Sequence, residues 1–398
     1  MYQIYILLIR GGGAALNLFF AFLIATFYEG SISSKFFYLF SLASVISTII
    51  KFGLENWILS TLPSLFEKNK NIDHLNNKLI SNALLLGLSS CVLMFFALGE
   101  LILEVFAIFM AVMFSSVSVF CAFIQAQNKV LFSIFIRNIA PAGLFFVLYF
   151  SFFPASFNGL VLCFISPYFL LLVYFSIINR KILNIFYFQK LKAKKLIKRQ
   201  LGFAGYSIAD SVYVNFPVIV AYLIGLGEYT VIYALAARFA RVMRLIASTV
   251  TVYVIQQKVV EYVSQGGERL IKGFFIQAKN LIIFNFILSF FFLASVLLVN
   301  KFGWFKIKLD LIALIILSLL LLSETIYSST QCLINYFIVI KKLSRISVVF
   351  FGVIAMALFS VLLSGGPLSP AFSLVFVSFI LYFYCINSLN KERKRYER

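Results

Sequence analysis

Three arginines carry the most chemistry in this chain: Arg238, Arg241 and Arg244, recurring every three residues in Ala236-Ala237-Arg238-Phe239-Ala240-Arg241-Val242-Met243-Arg244. On a helix this spacing spreads them over about 120° of one face, each about 4.5 Å further along the axis. Guanidinium forks bind phosphate oxygens with charge-assisted, often bidentate hydrogen bonds. A stripe of this kind suits the wall of an aqueous cavity that attracts an anion such as a diphosphate. A structural reading stands beside it: Arg241 and Arg244 mark the cytoplasmic end of a shifted membrane span, or Asp210 and Glu324 neutralise the stripe. Both can hold together.

Four further ionisable residues fall inside apolar runs, where a charge costs roughly 3 kcal/mol and needs a partner, water or a substrate. Arg137 and Asp210 are expected at matching depths, facing one cavity or pairing with each other. Glu324 stands among Ser323, Thr325, Ser328, Ser329, Thr330 and Gln331, a polar patch suited to a water-lined face and to a coupling proton. Arg10 is intramembrane if the first helix begins near Ile4, and a surface anchor if residues 1–9 lie along the membrane. Lys51 and Glu55, four apart, read as an interfacial pair. Gly11-Gly12-Gly13 lacks the strand, Lys and Ser/Thr of a phosphate loop, so it reads as a place of close helix packing or a bend. The single His, His74, and five Cys without CxxC spacing indicate no metal site and no disulfide framework.

The elements that must position these side chains are membrane helices. Of 398 residues, 62% are hydrophobic and 12% charged, with 49 Phe and a mean hydropathy of +1.01. A soluble enzyme is excluded by that composition. Apolar runs predict an all-α membrane protein with twelve spans, near 8–28, 36–56, 79–98, 101–125, 130–150, 157–178, 202–225, 229–255, 280–300, 309–339, 344–364 and 369–388. Measured from an outer end near Tyr229, Arg238 lies roughly 14 Å deep.

Of the 34 Lys and Arg, 25 fall on one side of this arrangement; only Lys35, Lys301, Lys306 and Lys308 fall on the other. By the positive-inside rule both termini are cytoplasmic. The net charge of +20 is thus mostly topology and does not point to nucleic acid. The basic stretch from Arg180 to Arg199 reads as an interfacial helix on anionic lipid headgroups. It divides the chain into an N-terminal six-helix bundle (1–178), a basic linker (179–201), a C-terminal six-helix bundle (202–390) and a basic tail (391–398). Ala14 to Ala43 and Ile208 to Ala237 align without a gap at an offset of 194, consistent with parallel repeats around a site between the halves.

These blocks resemble one family, the Wzx-type polysaccharide transporters, which flip lipid-linked oligosaccharides within the multidrug/oligosaccharidyl-lipid/polysaccharide superfamily. The likeness spans nearly the whole chain. Its carriers are Gly11 to Asn17, Lys35-Phe36, Phe52-Gly53-Leu54, Asp210-Ser211, Gly227-Glu228-Tyr229 and Ala236-Ala237-Arg238; none is a strict motif. The resemblance implies a MATE-like pair of six-helix bundles that alternates between inward and outward openings. It also implies an undecaprenyl-diphosphate-linked glycan as cargo, the bacterial cytoplasmic (inner) membrane as location, and a polysaccharide polymerase and chain-length regulator as partners. Arg238, Arg241, Arg244, Arg137 and Arg10 would then bind substrate, with Asp210 and Glu324 as coupling or charge partners, and no cofactor.

Two departures set limits. Lipid-II flippases of the superfamily add two helices for which this chain lacks the length. Its drug exporters typically use a carboxylate in the first helix, and none lies between Arg10 and Tyr28. A cation-coupled small-molecule exporter and, further off, a membrane enzyme of polysaccharide assembly remain the alternatives.

Overall fold

The computed structural model describes residues 2–55, 58–59, 101–127, 129–178, 193–240, 267–301, 310–339 and 343–396. All regular structure among them is helical: α1 (Tyr2–Phe27), α2 (Gly30–Lys51), α3 (Leu101–Ala126), α4 (Val130–Asn138), α5 (Ala140–Phe152), α6 (Phe157–Ile178), α7 (Ala193–Leu223), α8 (the described part, 228–240), α9 (Gly267–Lys301), α10 (Leu311–Val339), α11 (Leu343–Ser364) and α12 (Ser369–Tyr396). Ten helical stretches in the described residues are long and apolar enough to cross a membrane, α4 and α5 counting as one. The chain is a multi-pass membrane protein. The span expected at 79–98, the end of that at 229–255, and most of the linker at 179–201 lie outside the described residues.

Where helices start is the main difference from the sequence reading. Helix α1 runs without interruption from Tyr2, so Arg10 sits within it and residues 2–9 form no separate surface segment. Lys35, expected between spans, lies in α2, which begins at Gly30. Residues 193–201 are not part of a separate linker but the first turns of α7, whose 31 residues extend about 46 Å, well beyond a hydrocarbon core of about 30 Å. Likewise α9 begins at Gly267, and α12 carries the expected tail into helix as far as Tyr396. Adding one residue to an existing helix costs far less than nucleating a new one, so helices run on past the apolar window.

The chain forms two compact units, Met1–Phe20 with Lys35–Asn215, and Ala21–Ser34 with Phe216–Arg398. In the first, an aromatic core brings Phe20 against Phe145 (ring centroids 4.6 Å apart, edge-on) and Phe164 (5.0 Å, stacked), with Phe114 on Tyr168 at 4.6 Å. Beside it Val117, Cys121, Ile124, Ile136, Leu171 and Phe175 form a second apolar cluster. In the second unit α10 is the central element, packed against α9, α11 and α12. Cys121, Cys332 and Cys385 are buried as small hydrophobes.

Two local devices in the first unit shape the site. Pro141 has no N–H to give the Arg137 carbonyl, so the ladder of the span at 130–152 breaks at Ile139 and Arg137 stands one residue before the end of α4. Of the three consecutive glycines, Gly13 is the one that permits close packing there: a Cβ on it would come 2.6 Å from Asn138 Cβ and 2.9 Å from Asn138 O. At the end of α2, Phe52 (φ 41°) and Gly53 (φ 73°) take left-handed conformations, and a Cβ on Gly53 would meet the Ala204 amide nitrogen of α7 at 3.2 Å. That turn carries Leu54 and Glu55 back towards the bundle.

Candidate functional site

Glu55 draws two cations of the first unit together. Its Oε1 accepts from the Lys51 ammonium at 2.9 Å and from the Ser118 hydroxyl of α3, and its Oε2 accepts from Arg137 Nη2 of α4 at 3.1 Å. The expected Lys51–Glu55 pair therefore exists, and Arg137 joins it. The carboxylate that meets Arg137 is Glu55 rather than Asp210, the partner considered from the sequence. Matching depth along two helices does not bring side chains onto facing sides, whereas the left-handed turn at Phe52-Gly53 does. Burial alone would push the Glu55 carboxyl up; the Arg137 guanidinium and the Lys51 ammonium outweigh it, with the Ser118 hydrogen bond, and hold it well below the usual carboxylate range.

One carboxylate between two cations leaves a surplus positive charge. The Arg137 side chain is 43% exposed, against 17% for Lys51 and 16% for Glu55. Among the described residues Glu55 is its single hydrogen-bond partner, which leaves most of the five guanidinium N–H groups open. Hydroxyls brace the helices around the cluster: Thr48 Oγ1 donates to Ser211 Oγ of α7 at 3.1 Å, and Ser115 Oγ to Ser47 Oγ at 3.1 Å. Asp210 is half-buried next to Ser211 and has an interaction partner of its own within the protein, as does Arg10 on α1.

In the second unit Arg238 is buried at 7% exposure on α8, flanked by Ala237 and Ala240, while the neighbouring Phe239 meets Phe22 and Phe292. Arg241 and Arg244 lie outside the described residues. Glu324 is buried at the middle of α10, and both it and Arg238 have partners within the protein. The polar patch around Glu324 is buried between helices: Asn285 of α9 donates to Ser328, Ser289 and Thr325 hydroxyls lie 3.3 Å apart, and Ser329 Oγ donates to the Ala278 carbonyl at 2.9 Å. Such hydroxyl and amide contacts join membrane helices because lipid offers no competing partner. Asn285 and Ser289, on α9, carried no signal in the sequence beyond being polar in an apolar run. Of the tyrosines in the spans, Tyr213, Tyr233 and Tyr327 are buried, Tyr233 OH donating to the Pro367 carbonyl at 2.7 Å, while Tyr206 and Tyr222 are half-buried. Among the described residues no group of three or more His, Cys, Asp and Glu could hold a metal ion.

No protein-family model matches the chain, and no curated protein matches its sequence. Solved structures do match it in fold. The inward-facing conformation of a multidrug resistance MATE family transporter of the MOP superfamily superposes with a TM-score of 0.69 at 14% identity, covering 98% of this chain and 99% of that one. An outward-facing conformation of such a transporter gives 0.55 at 13% identity, over 100% and 96% of the chains. A eukaryotic MATE transporter gives 0.54 at 11% identity, over 99% of each. At these identities the likeness establishes the fold: an all-helical, MATE-like membrane protein, as the resemblance implied.

Proposed function

We propose that this chain is a membrane transporter that works by alternating access, and that its cargo is an anionic amphiphile, a polyprenyl-diphosphate-linked oligosaccharide carried to the outer leaflet of a cytoplasmic membrane. The MATE-like fold supports transport. The observation that carries the choice of cargo is the half-exposed guanidinium of Arg137, which shares its one carboxylate with Lys51, against an α1 with no acidic residue to recruit a cation. A guanidinium with open N–H groups at the edge of a low-dielectric region favours phosphate over a cationic drug. In this reading Arg238, Arg241 and Arg244 hold the diphosphate as it crosses, Arg137 and Arg10 serve the same anion, Asp210 and Glu324 are charge or coupling partners, and no catalytic step is involved. A polymerase and a chain-length regulator would act on the exported unit.

A second reading, export of small molecules, is supported by the multidrug resistance transporters among the structural neighbours. The two separate cleanly in cells depleted of the protein. Spheroplasts in which a complete lipid-linked oligosaccharide accumulates out of reach of an external glycan-modifying reagent, with restoration on re-expression, support the flippase. Normal surface glycan together with increased sensitivity to cationic compounds supports the exporter instead.

A further inference from the structure

Three features of the Lys51–Glu55–Arg137–Ser118 cluster stand together: two cations on one carboxylate, a half-exposed guanidinium held by one hydrogen bond, and a carboxylate with two other partners at close range. We propose that the cluster is a phosphate-exchange site, in which a phosphate or diphosphate group takes Arg137 from Glu55 while Glu55 stays satisfied on Lys51 and Ser118. The inference rests on the anionic-cargo reading above and names the group that this site handles.

The exchange is inexpensive for geometric reasons. A guanidinium bound through a single nitrogen gives up one hydrogen bond and gains two or more when it turns its open edge to a phosphate, which matches the planar fork bidentately. Glu55 is not stranded by the loss of Arg137, because Oε1 keeps the Lys51 ammonium at 2.9 Å and the Ser118 hydroxyl. The charge balance favours the same step: the cluster carries one net positive charge before the anion arrives. Arg137 is the eighth residue of its 23-residue span, about 11 Å from the end that the distribution of Lys and Arg assigns to the cytoplasm. That is a depth at which the headgroup of a lipid entering from the inner leaflet can be met. Glu55 is then a positioning residue and an internal competitor. It presents the guanidinium in the empty protein and takes it back when the anion leaves.

The test is a titration of the purified full-length protein in detergent with geranylgeranyl diphosphate, inorganic pyrophosphate and uncharged geranylgeraniol. Arg137→Gln is expected to weaken diphosphate binding by about tenfold or more, the value of a lost charge-assisted pair. Arg137→Lys, which keeps the pairing to Glu55 and guards against a folding defect, is expected to weaken it about threefold because a point charge replaces the fork. Glu55→Gln is expected to tighten binding, since the competitor is gone, and to slow release of the lipid. Pyrophosphate binding that depends on Arg137 identifies free phosphate as a competent ligand; dependence seen with the lipid alone identifies the headgroup, and either supports the site. Unchanged affinity in both Arg137 variants overturns it, and so does a parallel loss in Glu55→Gln, which would make the cluster purely structural. Arg137-dependent binding combined with normal sidedness of the glycan in depleted cells would keep the site and remove the cargo. A sidedness defect combined with Arg137-independent binding would do the reverse.

Discussion

The two compact units use their polar side chains differently. In the first, ionised groups from α2 and α4, with a hydroxyl from α3, gather on Glu55 and leave one guanidinium half exposed. In the second, the polar contacts resolved between α9 and α10 are neutral, with the amide of Asn285 and the hydroxyls of Ser289, Thr325 and Ser328 buried between the helices. Charges that respond to an arriving ligand need water at one edge; hydroxyls that only hold helices together do not. Under the proposed phosphate exchange, ligand response falls to the first cluster; the α9–α10 seam, neutral and buried, serves to hold its helices together.

That assignment breaks most visibly at Glu55. Glu55→Ala removes the partner of two cations and should destabilise the protein by about 2 kcal/mol, less than a fully buried pair because Arg137 reaches water; thermal unfolding in detergent measures it. A loss no larger than that of an exposed ion pair would show the cluster to be ornamental. Next comes the backbone support of Arg137. Gly13→Ala forces a methyl into Asn138 at the break between α4 and α5 and should cost about 1.5 kcal/mol, whereas Gly11→Ala, with open space at its Cβ, should be neutral in the same assay. On the other side of the comparison, Asn285→Ala removes a contact between α9 and α10 and should cost about 1 kcal/mol without altering diphosphate binding. An effect on binding would put the neutral seam in the ligand path.

The smallest effect is one of pH. The Glu55 carboxyl is depressed in the folded protein, so its contribution to stability is complete above the ordinary value of 4.5 and is lost only as pH falls below that towards the folded value. The difference in melting temperature between the wild type and Glu55→Gln should be flat from neutral pH to about 5 and shrink at lower pH. The Asn285→Ala difference, which involves no titrating group, should stay level throughout.

The spans were readable from apolar runs because lipid-facing helices advertise themselves: every described span falls within a few residues of its expected core, as with α11 at Leu343–Ser364 against 344–364. Their ends were not, since α7, α9 and α12 continue through basic and polar residues that hydropathy counts as loop. In the candidate site the four-residue spacing exposed the pair Lys51–Glu55, but its third member lies 82 residues away, and a contact that distant has no periodic trace. The Ser323 to Gln331 patch was visible as polar; that it is buried depends on Asn285 and Ser289 of another helix. Gly13 was separable from Gly11 and Gly12 only once α4 was placed beside α1.

Transport of an anionic amphiphile can be followed in reconstituted membranes. In proteoliposomes carrying a fluorescent polyprenyl diphosphate on one leaflet, the wild type should speed its appearance on the other leaflet, Arg238→Gln should abolish that acceleration in a protein that still folds, and a neutral prenol should cross at the same rate with or without the protein. A wild type that leaves the diphosphate lipid where it is while driving a cationic dye across the same membrane would make the protein an exporter of small cations instead.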